Sequence, residues 1–201
     1  MSSGPAVGVV VLAGGTSARL GGGDKTALDV GGMPILARLL AELPPWPTVV
    51  VAPPPADGPT LAHVRWTRED PPGSGPAAGL TAGVAALPAG LDVVVVLAGD
   101  QPFAAGAVPR LVAALWDEPG ADGALGQDTE GRPQPLLAAY RAAALARSLA
   151  GVRPGDSIRS ALGSLTRVLV PLEREECLDV DDSRDLTSAR EIVQRRAARP
   201  A

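Results

Sequence analysis

Two stretches of this chain place chemically capable side chains directly after apolar runs. The first is LAGGTSARLGGGDK, Leu12 to Lys25, which holds five glycines and ends on a lysine. Lys25 is the only lysine, against seventeen arginines elsewhere. Glycine lets the backbone approach a ligand closely, and successive exposed amides make a concave nest for anions. With Arg19 and Lys25 added, the loop is a candidate cradle for a triphosphate. A compact ammonium suits a position beside a single phosphate oxygen, where a guanidinium would bring a broad planar fork. The bland alternative is that Lys25 is a chance survivor in an arginine-favouring genome. Asp24 before Lys25 breaks the G-x-x-x-x-G-K-[ST] pattern of a Walker loop, and the dinucleotide-binding G-x-G-x-x-G turn is absent.

The second stretch is VVVLAGD, Val94 to Asp100, a near-repeat of VVVLAGG, Val9 to Gly15. The pair reads as two parallel strands leaving a sheet at the same edge. In open α/β sheets ligands sit in the crevice at the carboxyl ends of strands, where strand order reverses. Asp100 is therefore a candidate magnesium ligand, since magnesium usually takes one or two carboxylates together with phosphate oxygens. The alternative role for Asp100 is a cap for a helix near Ala104, though several residues early. A further acidic cluster, CLDVDDSRDL, runs from Cys177 to Leu186. Alternation puts Asp179 and Asp181 on one face, where like charges repel unless a cation or donors compensate. Either one of them helps hold magnesium or orients an acceptor, or the cluster is an acidic first turn stabilising the last helix. Asp182 and Asp185 suit the helix role better.

Positioning these groups requires a sheet. Val7–Leu12, Thr48–Ala52 and Asp92–Leu97 are continuous apolar, β-branched runs, the pattern of strands buried on both faces. Val64–Thr67, Ala121–Leu125, Gln134–Ala139 and Arg167–Pro171 complete about seven strands. Helices are expected over Pro34–Leu43, Pro76–Leu87, Ala104–Trp116, Arg141–Ala150, Ser157–Leu162 and Ser183–Arg196, the last with Ser183 as N-cap. The alternation predicts an α/β fold: a three-layer, Rossmann-like open sheet, mainly parallel. The length suits one domain over 1–201, with a nucleotide-binding half over 1–116 and an acceptor-side half over 117–201.

Composition narrows the function. Hydrophobic residues make up 46% of the chain and mean hydropathy is +0.16, which indicates a globular protein. A net charge of −4 with no basic block excludes a nucleic-acid binder of the usual kind. No apolar run reaches the roughly 20 residues of a membrane helix, and the N-terminus makes a poor signal peptide. A single cysteine, Cys177, forbids an intrachain disulfide and suits a reducing, cytoplasmic compartment. A single histidine, His63, rules out His-rich zinc sites. Cys177 is expected to be a small buried hydrophobe and His63 an exposed loop residue. Trp46, Trp66 and Trp116 are expected to pack rather than stack on a ligand.

LAGGTSARLGGGDKTAL resembles the L-A-G-G-x-S-x-R-[ML]-G-x-x-K signature of MobA-like nucleotidyltransferases. VGGMPILARLLAEL, GPAAGLTAGVAAL and LAGDQPF resemble three later family segments, which extends the likeness over most of the chain. The resemblance implies a sheet of the nucleotide-diphospho-sugar transferase type. It also implies that Leu12, Ala13, Gly14 and Gly15 contact nucleotide through backbone, that Arg19 touches the outer phosphates, and that Lys25 stabilises the α-phosphate. Asp70 stands where the family has a nucleotide-binding acid, and Asp100 where it holds magnesium. GRPQPLLAAYR resembles the segment lining the acceptor side, which makes Arg132 and Gln134 candidates for an anionic acceptor; an ordinary hairpin is the alternative.

Two departures bear on the substrate. Guanylyltransferases of the family usually carry N-x-N-T-P where this chain has Asp179-Val180-Asp181, and the cytidylyltransferase relatives carry D-x-D-T-P. Nor does this chain, which lacks asparagine altogether, have the Asn common at the end of the second strand. The resemblance favours GTP and a molybdopterin-type acceptor, with magnesium. CTP with molybdopterin is the rival, and a phospholactate guanylyltransferase a more distant one. A non-catalytic pterin- or partner-binding module is the alternative of another class. The family context further suggests contact with other cofactor-biosynthesis proteins, and a monomer or a homodimer.

Overall fold

The structure is a computed structural model, and it describes residues 4–14, 24–54 and 61–198. Val7–Leu12 forms β1, Thr48–Val51 β2, Val64–Thr67 β3, Val93–Ala98 β4, Gly123–Gln127 β5, Pro133–Arg141 β6 and Arg167–Pro171 β7. The seven strands join one sheet in the order β3-β2-β1-β4-β6-β5-β7. Only β6 runs antiparallel to its neighbours, β4 and β5; every other pairing is parallel. The expected α/β fold with a mainly parallel, seven-stranded sheet is therefore present.

β1 and β4 are central, and their valines are almost wholly buried on both faces. Such strands need cover above and below, and six helices supply it. They are α1 (Ile35–Glu42), α2 (Pro76–Ala86), α3 (Val108–Asp117), α4 (Ala142–Leu149), α5 (Ile158–Leu162) and α6 (Ser183–Ala197). Leu39, Leu111 and Leu115, from α1 and α3, pack with Val9, Val11 and Val95 on one face. Leu80, Leu145 and Ile158, from α2, α4 and α5, pack with Val10, Val94 and Val96 on the other. α2 is built of small residues because it lies very close to the sheet. A Cβ on Gly83 would fall 2.5 Å from a Val10 methyl and 2.8 Å from a Val51 methyl. α6 closes a smaller third cluster, with Ala189 and Ile192 on Val30, Ile35, Phe103 and Val180.

Local chemistry moves some boundaries from those expected. The Ala104–Trp116 segment begins as a 3-10 turn over Ala104–Ala107 and becomes α-helical at Val108, with Pro109 in its first turn, where the missing N–H costs nothing. β5 starts at Gly123 rather than Ala121. The preceding Asp122 is engaged by Thr166, whose amide and hydroxyl both donate to its carboxylate. Ser183 is not the N-cap of α6. Asp182 is: its carboxylate accepts from the amides of Arg184 and Asp185, while Asp185 reaches back to the Asp182 amide in a reciprocal capping box. A carboxylate takes that role better than a hydroxyl because it also meets the positive end of the helix dipole. Trp46 and Trp66 pack against the core, whereas Trp116 is 46% exposed. Cys177 and His63 are both half-buried, and the Cys177 thiol is pushed up to about 11 by burial and by nearby carboxylates. No helix among the described residues is long and apolar enough to cross a membrane.

Candidate active site

Strand order reverses between β1 and β4: β2 and β3 lie to one side of β1, and β4 begins the other. The carboxyl ends of β1 and β4 are fastened together by the Gly99 amide, which donates to the Leu12 carbonyl at 2.8 Å, while the Ala13 amide ties the end of β1 to β2 through the Val51 carbonyl at 3.2 Å. Gly99 is dictated by this approach, since a Cβ there would lie 2.8 Å from Ala13 Cβ and 3.0 Å from its Cα. The next residue along is Asp100, which is thereby set directly beside the start of the glycine-rich loop.

Lys25 returns from that loop to the same place. Asp24 fixes it locally, its carboxylate accepting from the Thr26 amide at 2.9 Å and hydroxyl at 2.7 Å and so capping a one-turn 3-10 helix over Lys25–Ala27. The Lys25 ammonium forms ion pairs with Asp100 and, at 2.8 Å, with Asp181. Burial works against its charge, but the hydrogen bonds to Asp100 and Asp181 and their charges outweigh that and hold Lys25 above its ordinary value.

The segment before α6 delivers the remaining acids. The Val180 amide donates to the Asp100 carbonyl at 3.1 Å, and the Val180 side chain is fully buried. Asp179 and Asp181 flank this anchor, in a segment that is not a strand, so the strand alternation expected there does not apply. Asp181 is held by its amide on the Asp185 carboxylate, and its side chain is 57% exposed. Asp179 keeps an exposed surface, yet its carboxyl is pushed up to about 6. Partial burial and the charge of Asp100 are the main causes, with Asp181 adding to them and Gln101 and Lys25 opposing.

A cavity of about 410 Å³ opens beside these groups. Leu12, Ala13, Gly14, Lys25 and Asp100 all line it. So does Glu69, which sequence reasoning passed over in favour of its neighbour. Asp70 is exposed and is not among the lining residues, whereas Glu69 faces inward with one carboxylate oxygen accepting from the Gly73 amide at 2.9 Å. Glu69 follows β3 and Asp100 follows β4, three inter-strand spacings apart, roughly 14 Å. Gln101, buried and hydrogen-bonded to Asp179, was also missed. Its only signal was its place after Asp100. Gly15 and Arg19 lie outside the described residues.

Arg132 and Gln134 sit on the β5–β6 hairpin, where both donate to Asp128 Oδ2 at 3.0 Å. The Arg132 amide, then its guanidinium and the Glu130 amide, hold the Asp128 carboxyl below its ordinary value. Neither residue lines the cavity.

The donor set suits a divalent cation. Asp100 Oδ1 is buried with no hydrogen-bond partner, although its other oxygen is paired with Lys25. An orphaned carboxylate oxygen of this kind calls for a cation, since an unmet buried acceptor is costly. No group of three or more His, Cys, Asp or Glu arranged for a metal occurs among the described residues. A site of one or two carboxylates completed by phosphate oxygens is the magnesium pattern.

A crevice at a strand-order switch, lined by the Leu12–Gly14 backbone and by a lysine that bridges two aspartates, is the ligand site of an open α/β sheet. A family model, the MobA-like NTP transferase domain, matches residues 9–168. The chain belongs to that family. It is 36% identical over 119 residues to the molybdenum cofactor guanylyltransferase of Mesorhizobium japonicum, a match covering 55% of this chain and 56% of that one. The chain thus spans about half the length of the curated relative it matches. Among solved structures it is similar to molybdopterin-guanine dinucleotide biosynthesis protein A from Archaeoglobus fulgidus. There the TM-score is 0.68 and identity 26%, with 94% of this chain and 99% of that one covered. The 2-C-methyl-D-erythritol 4-phosphate cytidylyltransferase of Thermus thermophilus shares the fold, with TM-score 0.67, 21% identity, and 92% and 98% covered.

Proposed function

We propose that this chain, as a single domain over 1–201, transfers a nucleoside monophosphate from GTP to the phosphate of a molybdopterin-type acceptor in the cytoplasm and releases pyrophosphate. The observation that carries this reading is that Lys25, in the 3-10 turn after the glycine-rich loop, and Asp100, just past β4, meet on one cavity lined by Leu12, Ala13 and Gly14. An acceptor phosphate oxygen attacks the α-phosphorus, the bond from that phosphorus to the β-bridging oxygen breaks, and the electron pair leaves with pyrophosphate. The backbone at Leu12–Gly14 binds the nucleotide, and Lys25 places its ammonium against α-phosphate charge as it builds. Arg19 acts on the outer phosphates. Magnesium, when bound, neutralises polyphosphate charge, and Asp100, with Asp179 or Asp181, would hold it. Arg132 and Gln134, on the β5–β6 hairpin, are the acceptor-side residues of this reading. Positioning and preorganised charge carry such a transfer, and losing one such contact typically costs about 10²–10³ in rate.

Glu69 supports GTP over the rival CTP. A carboxylate is acceptor-only. Guanine presents two adjacent N–H donors on one edge, whereas cytosine presents one donor beside acceptors that a carboxylate repels. The CTP reading draws on the Asp179-Val180-Asp181 pattern and on the fold shared with a cytidylyltransferase.

The test is to offer each common triphosphate with molybdopterin and magnesium, following pyrophosphate and the pterin dinucleotide together. GTP should be preferred, and Glu69→Gln should reduce that preference about 10–100-fold, the worth of a charged hydrogen bond. A CTP preference would exchange the base assignment, and no metal-dependent pyrophosphate with any triphosphate would leave a binding module.

A further inference from the structure

A second cavity, of about 370 Å³, lies on the same face of the sheet as α2 but under α5. The two cavities share no lining residue.

The interior is apolar. Leu125, Ile158, Leu162 and Leu165 contribute aliphatic surface. Tyr140 contributes its ring, while its hydroxyl is used up by the Pro135 carbonyl at 2.9 Å. That hydroxyl is held protonated well above its ordinary range by burial. The polar chemistry comes from Arg159 on α5 and Arg167 at the start of β7. Both are exposed, and neither forms an ion pair or a side-chain hydrogen bond among the described residues. Arg65, Arg68, Arg147, Arg153, Arg174 and Arg184 are unpaired in the same way, but only Arg159 and Arg167 among the described arginines line this cavity. Two unpaired guanidiniums on the lining of an apolar chamber are the complement of one ligand type. The apolar body enters the chamber, and a carboxylate or phosphate stays at the mouth, where planar N–H forks bind it. The volume lies within the range of small-molecule sites.

We propose that this chamber is a second ligand site, for a small amphipathic anion: a bicyclic or branched apolar body carrying one carboxylate or phosphate, gripped by Arg159 and Arg167. The chamber shares no lining residue with the nucleotide cavity, and Arg159 and Arg167 take no part in the proposed transfer.

The probes are 2-naphthoate and 1-naphthyl phosphate, with 2-naphthylmethanol as the neutral control, titrated by NMR against the full chain. Both anions should bind saturably with Kd about 10⁻⁴ M, the affinity expected for ligands of this size. The neutral alcohol should bind at least tenfold more weakly. Arg159→Glu with Arg167→Glu, both exposed positions, should abolish anion binding while pyrophosphate release stays unchanged. Lys25→Ala should leave anion binding intact. Binding that survives the double arginine change, equals that of the alcohol, disappears with Lys25→Ala, or is absent to about 5 mM, fifty times the expected Kd, overturns the proposal. A stronger response to the phosphate than to the carboxylate, or the reverse, identifies which head group the site takes.

Discussion

Asp100 makes demands that its neighbours only partly meet. One oxygen takes the Lys25 ammonium and the other is buried without a partner, and its charge falls on Asp179. The consequence can be measured without any ligand. The Asp179 carboxyl is raised from 3.8 to about 6 in the folded chain, so the folded state is penalised only when that group is ionised. The penalty is absent below the unfolded value, grows as pH rises between the two, and is complete above about 6. Asp179→Asn should therefore melt higher than the parent at pH 8 in the presence of a chelator. Discounted for the exposed surface of Asp179, the gain is about 1 kcal/mol, or roughly 2–4 °C. At pH 4 the two should melt together, and an equal gain at both values would mean that the carboxyl carries no such strain. Lys25 and Asp100 were legible in the sequence because each ends a motif at a strand terminus. Glu69 was not. The turn Asp70–Ser74 decides which of two adjacent acids faces inward, and no spacing rule reads that from TREDPP.

Among the elements, the glycines carry geometry that side chains elsewhere exploit. β1 and β4 come together because Gly99 has no Cβ to meet Ala13. Gly99→Ala should cost about 1–3 kcal/mol in a urea denaturation, the usual penalty for overpacking. Ala13→Gly in the same chain should recover part of it, because it removes the Cβ contact at 2.8 Å while the backbone contacts to Ala13 Cα and Leu12 O remain, and close sites couple. Independent, additive losses would show that the strand ends are not packed as described. The last helix works in the same indirect way, since Asp185 completes the capping box with Asp182 and also holds the amide of Asp181, which grips Lys25. The β-branched runs made β1, β2 and β4 plain in the sequence. The position of the α6 cap was less so, because CLDVDDSRDL holds several acids within reach of the helix start and only backbone geometry selects Asp182.

The whole molecule is built on a sheet whose order switches between β1 and β4, and that switch puts the Leu12–Gly14 strand end and the acidic end of β4 on one crevice. Alternating apolar strands and helices predicted such a sheet. The short connection from Gln127 to Pro133 allows β5 and β6 only an antiparallel pairing, but the pattern did not show that β6 would insert between β4 and β5, because which strand a hairpin arm pairs with on its far side is set by tertiary packing. Nor did it reveal the chamber under α5, whose walls come from β5, β6, α5 and β7 at once.

The most direct test of the transfer reading is the rate of magnesium-dependent pyrophosphate release in the parent, Lys25→Ala and Asp100→Asn chains, with GTP and molybdopterin present. Each variant should keep the parent's circular dichroism and lose about 10²–10³ in rate. Turnover near the parent's in either folded variant would contradict the claim that these two residues grip one polyphosphate.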